Sequence, residues 1–293
     1  MNCLLCGSEQ SSIFTRVESF GFPLVYLHCE NCGLVYQSKK DSKAADPDFY
    51  ASTYRTIYQS TEEPTGKDLW VQRQRADHLV RLLKTALPGQ PSRVLDVGAS
   101  TGELLKTFQG AFGCEITGVE PGDAYRAYAE NQGITMYPSL EALTASAGEG
   151  FSLVSLIHVL EHLPDPIGSL RVIRQDLLTE DGFLLLEVPN FYAHDSYELA
   201  HLACYSPHTL QEVLGQAGYE AVVVKKHGVP RSALLNLYLT VVARPLPEAD
   251  AVTEVKPERS VAFKRKTGLL YRRIVQKLLP NQAWLPLEQG KDD

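Results

Sequence analysis

The chain has 293 residues, a net charge of −7, 44% hydrophobic and 22% charged residues, which suits a soluble globular protein with one large domain and a small module. It has no run of about 18 apolar residues that would offer a membrane span, and Met1-Asn-Cys-Leu-Leu-Cys6 has neither the basic start nor the apolar core of a signal peptide, so the expected location is the cytoplasm. The acidic balance argues against a protein wrapped around nucleic acid and leaves room for a local basic patch.

Cys3-x-x-Cys6 and Cys29-x-x-Cys32 frame the first module. Each pair presents two thiolates from one knuckle, and two knuckles complete a tetrahedral site, so the reading is a zinc ribbon whose closed ligand set makes the metal structural. Disulfides or redox pairs suit a reducing compartment less well. Between the knuckles, residues 13–17 and 24–27 predict a hairpin around Gly21-Phe-Pro23. Cys114 has no such partner and reads as a small core residue; Cys204 has none either. Tyr50, Tyr54 and Tyr58 share one helical face. That face either packs the ribbon against the main domain or forms a lid over the reaction site.

Apolar positions recur at helical period from Asp68 to Leu87, and Pro88-Gly89 stops that helix. Arg93-Val-Leu-Asp-Val-Gly-Ala-Ser-Thr-Gly102 then reads as a buried strand, a tight turn and a helix N-terminus. Such a turn lets a ligand approach the backbone and offers it unpaired N–H groups. It is not a dinucleotide fingerprint, because Ser100 and Glu103 stand where glycines are needed. A carboxylate at Asp96 suits a cationic group, and Glu120 at the next strand end can bind two ribose hydroxyls. An ammonium and a ribose together describe S-adenosylmethionine.

The pattern resembles motif I and the acidic second-strand residue of the class I S-adenosylmethionine-dependent methyltransferases. The alternation continues with helix 102–111, strand 115–119, helix 122–132, strand 134–136, helix 139–146, strand 151–157, helix 164–178 and strand 183–188. Helix 207–217, which starts at Ser206-Pro207, and strands near 219–226 and 234–243 complete it. The expected fold is an α/β, doubly wound, Rossmann-like sheet ending in an antiparallel hairpin, with an N-terminal zinc ribbon and a C-terminal helix.

His158-Val-Leu-Glu-His-Leu-Pro-Asp-Pro166 resembles the quinone-biosynthesis and sugar-modifying branches of this superfamily, as does Tyr205-Ser-Pro-His-Thr-Leu210. The resemblance implies that Asp96, Gly98, Gly102, Glu120, Pro121, His158, Val159 and Leu160 hold the cofactor. Glu161 and His162 either begin the loop towards the acceptor or cap the next helix. The long segment 191–208, rich in His, Asp and Tyr, lies where an acceptor would bind. Methyl transfer to oxygen or carbon needs a base, for which the order is His158 and His201, then His162. A further reading puts a divalent cation on Glu161, His162 and His201, although His158 replaces the first Glu of the related metal motif.

The expected divisions are residues 1–40 for the ribbon, 41–90 for the tyrosine segment and leading helix, 91–245 for the core, and 246–293 for a linker and basic amphipathic helix. That last helix, over 259–279, would fold back on the protein or meet a membrane or another protein. The expected acceptor is a small molecule, with a sugar or surface-glycan precursor as the finer reading, since a cysteine-rich ribbon on this core resembles deoxysugar C-methyltransferases. Those enzymes carry a further large domain that this chain has no room for. The rival readings are an RNA base methyltransferase docking through its ribbon, which the mostly neutral ribbon does not favour, and a non-catalytic protein that keeps the cofactor fold.

Overall fold

The computed structural model describes residues 2–38, 63–146, 148–247 and 254–286. The tyrosine face of Tyr50, Tyr54 and Tyr58 lies outside the described residues. Each cysteine knuckle closes in the same way: Gly7 N–H donates to Cys3 O at 3.0 Å and Gly33 N–H to Cys29 O at 2.9 Å. Strands β1 (Ser11–Ser19) and β2 (Phe22–Cys29) pair antiparallel, and β3 (Val35–Gln37) adds to β2. Helix α1 (Gly66–Ala86) starts in a reciprocal cap, where Thr65 accepts from Asp68 N–H and the Asp68 carboxylate accepts from Thr65 N–H.

Strands and helices then alternate: β4 (Arg93–Val97), α2 (Glu103–Phe112), β5 (Glu115–Val119), α3 (Asp123–Asn131), β6 (Thr135–Tyr137), α4 (Leu140–Ala145), β7 (Phe151–Ile157), α5 (Pro166–Val172) and β8 (Leu178–Pro189). After β9 (Ala203–Cys204) come α6 (Pro207–Gln216), β10 (Tyr219–His227), β11 (Tyr238–Pro245) and α7 (Val261–Leu278). The main sheet runs β10-β11-β8-β7-β4-β5-β6, with β11 antiparallel to both of its neighbours and β4 to β8 mutually parallel. Strand order reverses at β4, so the carboxyl ends of β4, β5, β7 and β8 frame the crevice where α/β sheets bind ligands.

The period of two along each strand divides the core between the two faces. Leu95, Val154, Leu156, Leu184 and Leu186 join α5, α6 and the ribbon in one cluster. Val94, Leu153, Leu185 and Val242 join α1 and α2 in the other. The ribbon is therefore built into the main core through Cys3, Leu5, Leu34 and Tyr36. Its sheet also takes a fourth strand, β9, from the segment that follows β8.

Three elements differ from expectation. The helix expected over 164–178 is α-helical only to Val172, then makes one wider π-turn to Leu177. The strand expected over 183–188 already begins at Leu178, because Thr179-Glu-Asp-Gly182, which reads as a turn, bulges within β8. The final strand starts at Tyr238 instead of 234. Asp165 caps α5 by accepting from Gly168 N–H at 2.9 Å, so Glu161 and His162 are not that helix's cap. Ser206 and Pro207 begin α6 as expected, and Cys114 is buried in the core.

Candidate active site

The first part of the site is the turn after β4. Gly98 has φ +78°, and a Cβ there would lie 2.5 Å from Val159 Cγ2, so only glycine lets this turn close under the β7 end. Gly102 caps α2 with φ +78°, and a Cβ there would lie 2.3 Å from Ile134 Cδ1. Asp96 is buried at the strand end and accepts from Ser155 Oγ at 2.6 Å. Burial raises its carboxyl to about 7 against the Ser155 bond, and the Glu120 charge adds to the rise. Glu120 is buried one strand over and accepts from Ser100 N–H at 2.9 Å and Gly122 N–H at 2.8 Å, which ties the two loops together across Pro121. Helix α1 covers the turn from above: Gln72 bonds the Ser100 and Thr101 hydroxyls, and Arg73 pairs with Glu103 at 3.0 Å. Gln72 and Arg73 carry no motif, and nothing in the sequence pointed to them.

The second part is a buried ionic cluster at the ends of β7 and β8. His158 has φ +57°, a conformation that a residue with a Cβ holds only where its surroundings impose it. Its Nδ1 lies 3.2 Å from Glu161 Oε1 and its Nε2 lies 3.3 Å from Glu187 Oε1. Glu187 also faces Arg75 Nε at 2.8 Å and His227 Nε2 at 3.2 Å, and accepts from Thr240 Oγ1 at 2.9 Å. Burial and Arg75 oppose protonation of His158, but its two carboxylate partners outweigh them and its pKa rises. Burial would raise Glu187, yet Arg75, His158 and His227 hold it well below the usual carboxylate range. Both ring nitrogens of His158 thus face carboxylates, a poor arrangement for a base. Tyr238 packs edge-on to His158 at 5.2 Å between ring centres, and the Arg75 guanidinium lies over the Tyr238 ring at 5.4 Å. Arg75, His227 and Tyr238 come from α1, β10 and β11, too far along the chain for spacing to reveal them.

The third part joins Glu161, His162 and His201, one donor atom of each lying within 4.8 Å of the others. His162 and His201 have ring centres 5.0 Å apart. Nδ1 of His162 is bonded to Ala200 O at 2.9 Å and Nδ1 of His201 to Ser196 O at 3.2 Å, so both donate from Nδ1. Burial lowers both pKa values, which keeps the rings neutral at pH 7. Glu161 is held at about 2: burial pushes it up, but His158, His162 and His201 pull it down. Its buried Oε2 has no hydrogen-bond partner among the described residues. This trio fits a divalent cation, with neutral imidazoles and an ionised carboxylate as donors.

The ribbon holds this third part in place. Tyr26 OH reaches Glu198 O at 2.8 Å and His201 O at 3.1 Å. Gln37 Nε2 donates to Glu198 O and Leu199 O, while Gln37 N–H donates to Leu202 O at 2.8 Å. Leu202 N–H in turn bonds Glu161 O at 2.8 Å. Cys3, Cys6, Cys29 and Cys32 bring their sulfurs within 4.8 Å of one another, with Cys3–Cys32 and Cys6–Cys29 at 3.5 Å. A tetrahedral zinc with bonds of about 2.3 Å needs sulfurs about 3.8 Å apart, and a disulfide needs about 2.05 Å. The four thiols are unpaired and fit the metal. The Cys3–Cys32 contact lowers the Cys3 thiol and raises that of Cys32, so the pair favours holding one proton between its two sulfurs.

A seven-stranded sheet in this order, with β11 reversed and an Asp-Gly turn at the switch point, defines a Rossmann-like class I methyltransferase architecture. The chain belongs to the methyltransferase domain family, whose model matches residues 70–224, more than half of its length. The ubiquinone biosynthesis O-methyltransferase of Ruegeria pomeroyi is 30% identical over 177 residues, covering 52% of this chain and 70% of that protein. The protein of the same name from Actinobacillus pleuropneumoniae is 32% identical over 109 residues, covering 33% and 46%. That of Dinoroseobacter shibae is 32% identical over 128 residues, covering 41% and 50%. The chain thus spans about half the length of several curated relatives. Among solved structures, the 1,6-didemethyltoxoflavin-N1-methyltransferase of Burkholderia thailandensis superposes with a TM-score of 0.53 at 20% identity, over 75% of this chain and 99% of that one. At that identity the likeness concerns the fold alone.

Proposed function

We propose that this chain transfers the methyl group of S-adenosylmethionine to an oxygen of a small hydroxylated molecule. The observation that carries the reading is the neutral pair His162, just after β7, and His201, in the segment between β8 and β9, with ring centres 5.0 Å apart. The bound cofactor supplies an activated methyl group, so the protein has mainly to align the acceptor, exclude water and accept a proton. Asp96 holds the cofactor's ammonium and Glu120 its ribose hydroxyls. Gly98 and Gly102 let it approach the backbone, and Pro121, Val159 and Leu160 flank it beside His158. His201 or His162 takes the acceptor's proton on Nε2, since Nδ1 is engaged in each. His158 acts by orienting Glu161 and is not the base. Cys3, Cys6, Cys29 and Cys32 hold a structural zinc that fixes the ribbon and, through Tyr26 and Gln37, His201.

The relatives' name supports oxygen over carbon as the atom methylated. It does not carry the sugar or surface-glycan precursor expected from the sequence. A second reading rests on the orphaned Glu161 Oε2: Glu161, His162 and His201 would hold a divalent cation, which would supply Lewis acidity towards a hydroxyl there. Chelation that spares the ribbon zinc separates the two. Retained activity favours the histidine base, and a loss restored by magnesium or manganese favours the cation.

The test adds methyl-labelled S-adenosylmethionine and the pure protein to a cell extract separated into small-molecule, lipid, RNA and protein fractions. Label in the small-molecule or lipid fraction is expected, and it should disappear with the double change His162→Ala/His201→Ala. Label in RNA would overturn the reading in favour of a base methyltransferase docked through its ribbon. No label anywhere, together with no binding of S-adenosylhomocysteine, would favour a non-catalytic scaffold.

A further inference from the structure

Helix α7 buries Val261, Arg265 and Val275 and leaves a second, larger apolar face outward. Its inward side carries guanidinium groups: Arg265 is 5% exposed, donates to Phe191 O and His194 O, and lies 4.6 Å over the Phe191 ring. About two turns later, Arg272 bonds Ala193 O at 3.1 Å and pairs with Asp195 at 2.6 Å. Gly268 sits between them against the Tyr192 carbonyl, where a Cβ would lie 2.0 Å from the oxygen. The opposite side is apolar and open to water. Phe263 is 69% exposed, Leu270 55%, Ile274 48% and Leu278 70%. At the 3.6-residue pitch these four and Tyr271 fall within an arc of about 100°, directly opposite the packed side. Leu279, Trp284 and Leu285 continue the exposed apolar surface beyond the helix. An amphipathic helix normally buries its apolar arc in its own protein; this one offers that arc outward.

The charges identify the occupant. From Arg259 to Pro286 there are seven lysines and arginines and no acidic residue, in a chain whose net charge is −7. Lys266, Arg273 and Lys277 are exposed along one margin of the apolar arc, while Lys264 on the other is paired with Glu258 at 2.9 Å. We infer that α7 is a peripheral membrane anchor that lies flat on an anionic lipid surface, with its apolar arc at the acyl boundary and Lys266, Arg273 and Lys277 on the headgroups. A second copy of this chain does not fit, since a two-fold contact through this face would set one acid-free cationic helix against another. Nucleic acid would leave the apolar arc uncovered. The inward arginines grip residues 191–195, part of the segment placed beside the site, so a docked α7 brings that segment towards the lipid surface. The inference stands on the helix alone and does not depend on the proposed methyl transfer.

Flotation of the full zinc-loaded chain tests it, with vesicles of phosphatidylcholine alone and vesicles in which about a third of the lipid is phosphatidylglycerol. The chain should float with the anionic vesicles and release as salt rises from about 0.05 to about 0.5 M. Leu270→Ser/Ile274→Ser/Leu278→Ser should abolish flotation while leaving S-adenosylhomocysteine binding unchanged. Lys266→Gln/Arg273→Gln/Lys277→Gln should weaken it about fivefold per charge, about a hundredfold in all. No flotation of the unaltered chain would overturn the inference, as would equal flotation with phosphatidylcholine alone or full retention in the serine variant. A dimer that the serine variant dissociates, without flotation, would assign the face to a second copy.

Discussion

Glu187→Gln tests whether the buried ionic cluster exists as described. The substitution keeps the volume and removes the charge, leaving Arg75, His158 and His227 around a neutral amide. Removing one partner of a buried ion pair costs about 3–5 kcal/mol, because the remaining charge is left uncompensated. Arg75 keeps some contact with water, its side chain being 16% exposed, which points to about 3 kcal/mol. At a slope of about 3 kcal/mol per M, the urea midpoint should fall by about 1 M. The effect has a pH signature. The folded-state pKa of Glu187 is depressed, so its contribution is present above the unfolded value and is lost as pH falls through the folded one. The gap between the two proteins should therefore be full at pH 7 and shrink under acid conditions. Urea denaturation of both zinc-loaded proteins at pH 7 and pH 4 measures this. A midpoint shift under about 0.3 M at pH 7, corresponding to about 1 kcal/mol, would refute the reasoning.

Other consequences can be checked on the same protein. Asp96 is raised to about 7 by burial, and only its ionised form can pair with an ammonium, so affinity for S-adenosylhomocysteine should fall about tenfold per pH unit below that value; a flat calorimetric profile from pH 5.5 to 8 would contradict it. Tyr26→Phe removes the hydroxyl bonds to Glu198 O and His201 O, worth about 1 kcal/mol in stability. It should lower kcat severalfold with cofactor affinity unchanged, and hydrogen exchange should show residues 198–204 losing protection. Withdrawing zinc with a thiol-competing chelator should expose the same residues, since β9 pairs with the ribbon's β3.

Much of this molecule is legible along the chain because its signals are local. The Asp96-x-Gly98-x-x-x-Gly102 spacing, Glu120 at the next strand end and the two Cys-x-x-Cys pairs each fall within a few residues, and each set lies together in space. Strand and helix positions follow from periodicity, with the main errors where Thr179-Glu-Asp-Gly182 bulges inside β8. The Glu187 cluster was not legible, since its partners come from α1, β10 and β11 and only tertiary packing brings them together. Strand β9, at two residues, is too short for any period. The C-terminal helix shows the limit best. Its amphipathicity and basic charge can be read directly, but which side faces the protein depends on the carbonyls of residues 191–194, which draw in Arg265 and Arg272.

The central claim is that the turn after β4 holds the amino-acid end of S-adenosylmethionine through Asp96. Calorimetric titration of S-adenosylhomocysteine into the unaltered protein and into Asp96→Asn tests it most directly. The unaltered protein should bind one molecule, and the isosteric variant should bind about 10- to 100-fold more weakly with an unchanged thermal transition, the loss expected for one charged hydrogen bond. No binding to the unaltered protein, or equal affinity in both, would contradict the claim.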